Sequence, residues 1–217
     1  MSWTDAIDLY CERTSSSMWA EPWNALSNLA FFVVAYLVWR QSRRHFGKNI
    51  PVDLSVLIVL IVCIGAGSTV FHFVGQRWAG VLDVLFIALY LHAYCAVFLA
   101  RISHVPWRWA WLGAPAFWIF AQGIDALTGL ARVDAVSRGT LGYAPALIAL
   151  GAFACVARSS LLGLATGVFA VSLGLRALDL PLCAHWPWGT HFAWHVLNAV
   201  TLGLVTRALF LKSASSS

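Results

Sequence analysis

The sequence contains few charged residues for its length. Only 11% of its 217 residues are Asp, Glu, Lys or Arg, whereas 60% are hydrophobic; soluble domains carry about 25% charged residues. A single core of this size cannot bury so many apolar side chains, so we expect many of them to face lipid. The composition therefore predicts an integral membrane protein and argues against a soluble, disordered or fibrous one.

Several common functional motifs are also missing. The chain has no glycine-rich phosphate-binding loop, no nucleophile elbow around a serine and no CxxC pair among its five cysteines. Its formal net charge of +5 comes from Lys and Arg residues spread over short loops, which is typical of membrane topology signals and not of a nucleic-acid-binding face. We expect a lipid bilayer as a partner, and no nucleic acid.

Seven stretches of the sequence lack Asp, Glu, Lys and Arg and approach the length of about 20 residues that a transmembrane helix needs. They cover residues 22–39, 54–76, 84–100, 109–124, 139–157, 159–175 and 180–206. The pattern predicts an all-α membrane protein with a seven-transmembrane-helix bundle over residues 23–211. An acidic N-terminal segment (residues 1–22) and a disordered tail (residues 212–217) flank the bundle.

The distribution of basic residues predicts the orientation of this bundle. Lys and Arg are enriched in cytoplasmic loops, and they concentrate in the loop after the first stretch (residues 40–48), while acidic residues concentrate in the N-terminal segment. We therefore predict an extracytoplasmic N-terminus and a cytoplasmic C-terminus. The small size and the absence of an obvious retention signal favour a bacterial plasma membrane.

Five polar side chains lie in or beside the apolar stretches, where such residues are costly and indicate a functional site. Ser68 and His72 are four residues apart, as are His191 and His195, and Asp83 lies at the start of the third helix. A spacing of four places two side chains on one helix face. Because the second helix ends, and the third and seventh begin, on the same side, we expect all five residues at similar depth in the outer leaflet.

These residue types suit a catalytic zinc site. Three imidazoles and a water form a tetrahedral site with an open position, in which zinc lowers the pKa of the water and polarises a carbonyl. Asp83 would move the proton of that water to a leaving amine, and Ser68 would donate a hydrogen bond to the oxyanion. Two alternatives stay open: histidines that serve only interhelical hydrogen bonds, and histidines that hold a haem.

The same residues carry a resemblance to a known family, and three further segments extend it. These segments are Tyr10-Cys11-Glu12, Glu21-Pro22-Trp23-Asn24-Ala25-Leu26-Ser27-Asn28 and Leu178-Asp179-Leu180-Pro181-Leu182-Cys183. Together with the five polar residues they resemble the alkaline ceramidases. That family belongs to a seven-helix superfamily that also holds adiponectin-receptor-like proteins and a group that remodels GPI lipids.

The resemblance implies a zinc-dependent amidase that hydrolyses ceramide to a sphingoid base and a fatty acid. His72, His191 and His195 match the zinc ligands of the family, Asp83 its proton-transfer acid and Ser68 its oxyanion-stabilising serine. Two other functions remain as alternatives: another lipid hydrolase of the superfamily, such as one that cleaves an ester, and a seven-helix receptor or sensor with a structural zinc.

The resemblance also implies a calcium site ahead of the first helix. Glu12 and Glu21 match two of its acidic positions, and Asp8 and Asn24 supply further oxygens toward the six to eight that calcium takes. The simpler interpretation is that these acids are favoured by the dipole of a helix N-terminus. The chain departs from the family at two positions, Leu9 in place of an acid and Thr14 in place of an amide.

Two cysteines fall in extracytoplasmic segments that flank the predicted zinc site. We expect Cys11 and Cys183 to form a disulfide that ties the N-terminal segment to the loop before the last helix, because oxidising conditions on that side permit it.

Overall fold

The computed structural model describes residues 2–129 and 139–213. Within these ranges the regular structure is helical, apart from one isolated bridge between Ala6 and Gln76. The α-helices are α1 (Pro22–Ser27), α2 (Leu29–Phe46), α3 (Val52–Val74), α4 (Arg77–Arg101), α5 (Trp107–Ala110), α6 (Gly113–Thr128), α7 (Ala144–Ala157), α8 (Ser160–Leu178) and α9 (His191–Ser213). A short 3₁₀ turn, Leu141–Tyr143, leads into α7.

Five helices in the described residues are long and apolar enough to cross a membrane, which indicates a membrane protein. They are Pro22–Phe46, Val52–Val74, Arg77–Arg101, Ser160–Leu178 and His191–Leu211. The other two predicted spans correspond to the shorter helices α6, of 16 residues, and α7, of 14. A helix of 16 residues is about 24 Å long, which is less than the roughly 30 Å of a bilayer core.

The last predicted span begins within its charge-free stretch, residues 180–206. Residues 180–190 form turns and α9 begins at His191, in agreement with the prediction that His191 and His195 start the last helix and that Cys183 lies in the loop before it. Pro181 and Pro187 disfavour a continuous helix in this segment, and Gly189 has a φ of +63°. Hydropathy alone does not distinguish such an apolar loop from a helix.

α9 is the central helix of the bundle. It contacts α1, α2, α3, α4 and α8, and its hydrophobic window is more buried than those of the other four spans. The outer faces of the bundle keep large apolar side chains exposed, among them Ile119, Leu127 and Val171, as expected for a lipid-facing surface. The central position of α9 allows its first two turns to meet the end of α3.

The N-terminal segment folds back over one end of the bundle. The backbone N–H of Ile7 donates to the carbonyl of Gly75 at 2.7 Å, between α3 and α4, and Tyr10 is buried against Phe71. Part of the predicted segment 1–22 therefore packs against the helices, with Tyr10 and residues 11–13 buried. At the other terminus residues 212 and 213 still belong to α9, and the rest of the predicted tail lies outside the described residues.

Candidate metal centre

Three buried histidines converge at this end of the bundle. His72 comes from the last turn of α3, and His191 and His195 come from the first two turns of α9. Each is at most 2% exposed, and one ring nitrogen from each lies within 4.8 Å of the others. The structure thus brings together the three histidines predicted as ligands, and the cluster has the donor set of a metal site.

Glu21 fixes the orientation of the His72 ring. The Nδ1–H of His72 donates to Oε2 of Glu21 at 2.5 Å, and Glu21 also accepts from Nδ2 of Asn24 at 3.0 Å and from Arg13. Burial raises the pKa of Glu21, but the hydrogen bonds from His72 and Asn24 and the charge of Arg13 bring that pKa below its usual value. The ionised form of Glu21 is favoured, and with Nδ1 of His72 bonded to Glu21 the Nε2 atom of the same ring faces the cluster.

α1 fixes the ring of His195 in the same way. Nδ1 of His195 lies 2.8 Å from Oγ of Ser27 and 3.1 Å from the carbonyl oxygen of Asn24. The Ser27 hydroxyl already donates its proton to that carbonyl, so Nδ1–H of His195 must be the donor in both contacts. A ring that carries its proton on Nδ1 leaves Nε2 as a lone-pair donor for a metal.

The two remaining nitrogens face each other. Nε2 of His72 and Nε2 of His195 are 3.1 Å apart, and two nitrogens bound to one tetrahedral zinc are about 3.3 Å apart. Two lone pairs at this distance repel, and only a cation between them, a metal ion or a proton, removes the repulsion. The geometry thus fits a metal ion and does not fit a haem, whose axial nitrogens lie on opposite faces of a flat macrocycle.

His191 completes the cluster from above the other two rings. Its ring stacks on Tyr10 with centroids 3.7 Å apart, and its Nδ1 has no hydrogen-bond partner in the described part of the chain. A buried polar atom without a partner is costly, and one ring nitrogen of His191 lies within 4.8 Å of those of His72 and His195, so the ring fits a metal ligand. Burial raises the pKa of Tyr10, which keeps the stacked phenol neutral.

Asp179 holds the start of α9. Its Oδ1 accepts the N–H groups of Thr190 at 2.7 Å and His191 at 2.9 Å, and its Oδ2 accepts the N–H of Cys11 at 2.9 Å. Gly189 is needed beside it, because a Cβ there would clash with the Asp179 carboxylate and lie 2.8 Å from Cβ of Cys11. Asp179 belongs to the segment Leu178–Cys183 that carries part of the family resemblance, but no role was predicted for it, because a loop has no periodic pattern from which a contact follows.

Ser68 and Asp83 lie next to the cluster. Oγ of Ser68 is 3.5 Å from Nε2 of His195, and the half-buried Asp83 on α4 lies beside the Ser68 hydroxyl. Both residues line one cavity together with His191 and His195. Four of the five polar residues predicted from the sequence therefore line one cavity, and the fifth, His72, contacts His195 beside it.

The cavity has a volume of about 440 Å³, within the range of small-molecule sites. Apart from the polar residues already named, and from His92, Arg176 and Asn198, its walls are mainly apolar. The apolar part includes Phe31, Ile64, Phe71, Ile87, Leu91, Phe117 and Trp194. A polar end beside the histidines and a long apolar remainder suit an amphipathic ligand.

The residues predicted as calcium ligands make separate contacts in the structure. Glu12 uses both carboxylate oxygens to accept the N–H groups of Trp23 at 2.7 Å and Asn24 at 2.9 Å, and so caps α1. Burial raises the pKa of Glu12, and these two hydrogen bonds oppose that shift. Glu21 contacts His72 as described above, and Asp8 is exposed.

The structure joins Cys11 and Cys183 in a disulfide, the pair that the sequence analysis named. Their Cα atoms are 5.4 Å apart, an ordinary separation for a disulfide. The bond ties the N-terminal segment to the loop before α9, at the point where the N–H of Cys11 reaches Asp179.

Neither a protein-family model nor a curated protein matches this chain. The assignment of a function therefore depends on the geometry of the site.

Proposed function

We propose that the three histidines bind a catalytic zinc ion and that the protein is a membrane-embedded hydrolase of lipid amides. The observation that carries this proposal is the pair of Nε2 atoms of His72 and His195, which face each other at 3.1 Å while both Nδ1 atoms are held by oxygens. Zinc bound by three histidines supplies a water of near-neutral pKa and polarises a carbonyl.

Asp83 is the proposed proton-transfer group. It borders the cavity beside the histidines, so its carboxylate is placed to take a proton from a water that attacks an amide carbonyl carbon. It then returns that proton to the nitrogen as the C–N bond breaks, which yields a carboxylic acid and an amine. Water thus adds hydroxyl to the acyl carbon and hydrogen to the nitrogen.

Ser68 has a role that changes during the reaction. In the resting site we propose that its hydroxyl donates to the ionised Asp83 beside it. Once Asp83 has taken up a proton it no longer needs this donor, and the Ser68 hydroxyl is free to donate to the carbonyl oxygen as negative charge develops there. The hydrogen bond between the two residues therefore couples proton transfer to oxyanion stabilisation.

A ceramide-like lipid is the proposed substrate. The cavity gives room for an alkyl chain next to Ser68, Asp83 and the histidines, and the family resemblance supplies the identity of the amide. An ester of similar shape would fit the same walls, so ceramides and lipid esters must be assayed side by side.

The proposed topology has seven spans, with α6 and α7 as the short ones, and an extracytoplasmic N-terminus. The disulfide between Cys11 and Cys183 supports this side for the N-terminal segment, since structural disulfides persist in oxidising compartments. The metal centre would then lie in the outer leaflet half, and we propose a bacterial plasma membrane as its location.

The test is the metal content of the purified protein together with lipid hydrolysis. We expect about one zinc per chain and release of a fatty acid from ceramide, and we expect both to be lost in His195→Ala. His92→Ala is the matched control for the metal content alone, because His92 bonds the carbonyl of Ala88 at 2.7 Å and lies outside the cluster.

Each other outcome has a distinct meaning. Folded protein without metal would overturn the proposal. Zinc without turnover of any lipid amide or ester would indicate a structural metal, as in a receptor or sensor. Hydrolysis of esters alone would show that the substrate is a lipid ester, and the proposal of a zinc centre would stand.

A further inference from the structure

The N-terminal segment places a buried arginine directly behind the metal centre. The Nε–H of Arg13 donates to Oε1 of Glu21, and Nη2 donates to the backbone carbonyl of His72 at 2.9 Å. Nη1 also reaches the carbonyl of Ser15 at 3.4 Å. Only 5% of the Arg13 side chain is exposed. One guanidinium therefore contacts both the carboxylate that orients the His72 ring and the backbone of His72 itself.

The end of α3 is shaped to receive this guanidinium. Gly75 closes the helix with a φ of +62°, and its N–H donates to the carbonyl of Phe71 at 2.7 Å. A Cβ on Gly75 would lie 2.5 to 2.8 Å from three atoms of the Arg13 guanidinium. A positive charge is also favoured at the negative end of a helix dipole. Arg13 is thus favoured at this position for two reasons: Gly75 leaves room for its guanidinium, and its positive charge lies at the C-terminal end of α3.

The oxygens around Arg13 do not fit a calcium ion. Both carboxylate oxygens of Glu12 are used by the N–H groups of α1, and those of Glu21 are used by Arg13, His72 and Asn24. Oδ1 of Asn24 has no hydrogen-bond partner among the described residues, but it is one oxygen where calcium takes six to eight. A calcium ion on Glu21 would also lie beside a fixed positive charge, which repels it.

We propose that the guanidinium of Arg13 takes the place of the calcium ion that the family resemblance implies, and that Arg13 is a positioning residue which holds Glu21 against His72. The planar fork of an arginine suits this task, because it contacts a carboxylate and a carbonyl at the same time. The inference rests on the proposed zinc centre, since the orientation of His72 matters for function only if this ring binds a metal.

The first experiment tests calcium on the wild-type protein. Thermal unfolding is followed in calcium-free buffer and with about 10 mM calcium chloride, ten times above the weakest dissociation constants of extracellular calcium sites. Buffer is freed of calcium beforehand because soluble chelators also remove zinc. We expect the same Tm in both buffers and no stoichiometric binding of radioactive calcium. One bound calcium per chain, or a clear rise of Tm with calcium, would overturn the proposal.

The second experiment measures zinc affinity by competition with a chromophoric chelator. We expect Arg13→Gln to lower the affinity about 10- to 100-fold, as loss of an outer-shell partner does at other metal sites. Arg101→Gln is the matched control, because Arg101 bonds Asp53 at 2.5 and 2.7 Å at the opposite end of α3 and α4. Unchanged zinc affinity in Arg13→Gln would contradict the proposed role.

A pair of glycine variants keeps the proposal testable if Arg13→Gln does not fold. Gly75 and Gly129 both cap a helix, with φ of +62° and +63°, so an alanine strains the backbone similarly at each. A Cβ on Gly129 meets no atom of residues 2–129 and 139–213 within 4 Å. We expect Gly75→Ala alone to weaken zinc binding, and equal effects of the two variants would contradict the role of Arg13. Wild-type protein without zinc would refute the proposed function, while the calcium experiment would still be decided separately.

Discussion

Nε2 of His72 lies 3.1 Å from Nε2 of His195, although the two rings come from helices more than a hundred residues apart in sequence. Glu21 holds one ring through its Nδ1–H, and the carbonyl of Asn24 holds the other. The Nε2 atoms of the two rings therefore face each other across a buried gap. Two lone pairs at this distance would repel, and a metal ion or a shared proton between them removes that repulsion.

Removal of the metal is expected to destabilise the protein, because the bonds that the metal makes only with the native state are lost. A ligand that binds only the native state, at 100 times its dissociation constant, stabilises that state by about 2.7 kcal/mol. We expect dialysis against a chelator to lower the Tm, and added zinc to restore it. In His195→Ala one of the two facing nitrogens is gone, so its Tm should respond to neither treatment. A chelator that strips the metal without changing the wild-type Tm would contradict this prediction.

Asp83→Asn is expected to keep the metal and lose turnover. The amide has nearly the shape of the carboxylate and leaves the three histidines untouched, but it cannot accept a proton. General acid–base catalysis contributes about 10²- to 10⁴-fold, and kcat should fall by a factor in that range with zinc content unchanged. Steady-state hydrolysis of a ceramide and metal analysis of the same sample check both parts. A normal kcat would exclude Asp83 from proton transfer.

Ser68→Ala is expected to lower kcat more than it changes KM. Loss of one oxyanion donor costs about 10²- to 10³-fold in kcat at well-studied sites, and Ser68 lies 3.5 Å from Nε2 of His195 without being a ligand. Ser172→Ala is a suitable control. Ser172 is also buried, and its hydroxyl donates from α8 to the backbone carbonyl of Trp194 on α9. An equal loss of kcat in both variants would indicate a general packing defect.

The histidine cluster was predictable from sequence for a physical reason. A spacing of four fixes a shared helix face, as it does for His191 and His195, and alternation of membrane-crossing helices fixes which helix ends lie on the same side. Both rules act on regular structure, and the structure brings His72 to the pair as they require. Depth and face together leave little freedom for the positions of these rings.

The outer partners of the cluster were not predictable in the same way. Arg13 and Asp179 lie in loops, whose conformation leaves no periodic pattern in the sequence. Asn24 was assigned to a calcium site from the resemblance, whereas its carbonyl accepts from His195 and its amide donates to Glu21. These contacts depend on how the N-terminal segment folds over α3 and α9, which is decided by tertiary packing.

The disulfide between Cys11 and Cys183 is expected to support the metal centre as well as the fold. It closes a loop with a sequence separation of 172 residues, and cross-links that close long loops stabilise by about 2–4 kcal/mol. It also fixes the N–H of Cys11 on Asp179, which caps the helix that carries His191 and His195. Reduction should therefore lower both the Tm and the zinc affinity.

The double variant Cys11→Ser/Cys183→Ser separates this effect from side reactions of the reductant. We expect it to bind zinc more weakly than the wild type and to be insensitive to reductant, whereas Cys155→Ser, which changes an exposed free cysteine, should behave as the wild type. Asp179→Asn tests whether the disulfide affects zinc affinity through the N-terminal cap of α9. If it does, Asp179→Asn should lower zinc affinity even with the disulfide intact. A double variant with lower Tm but wild-type zinc affinity would limit the disulfide to a role in stability, because the cap on Asp179 would then hold α9 without it.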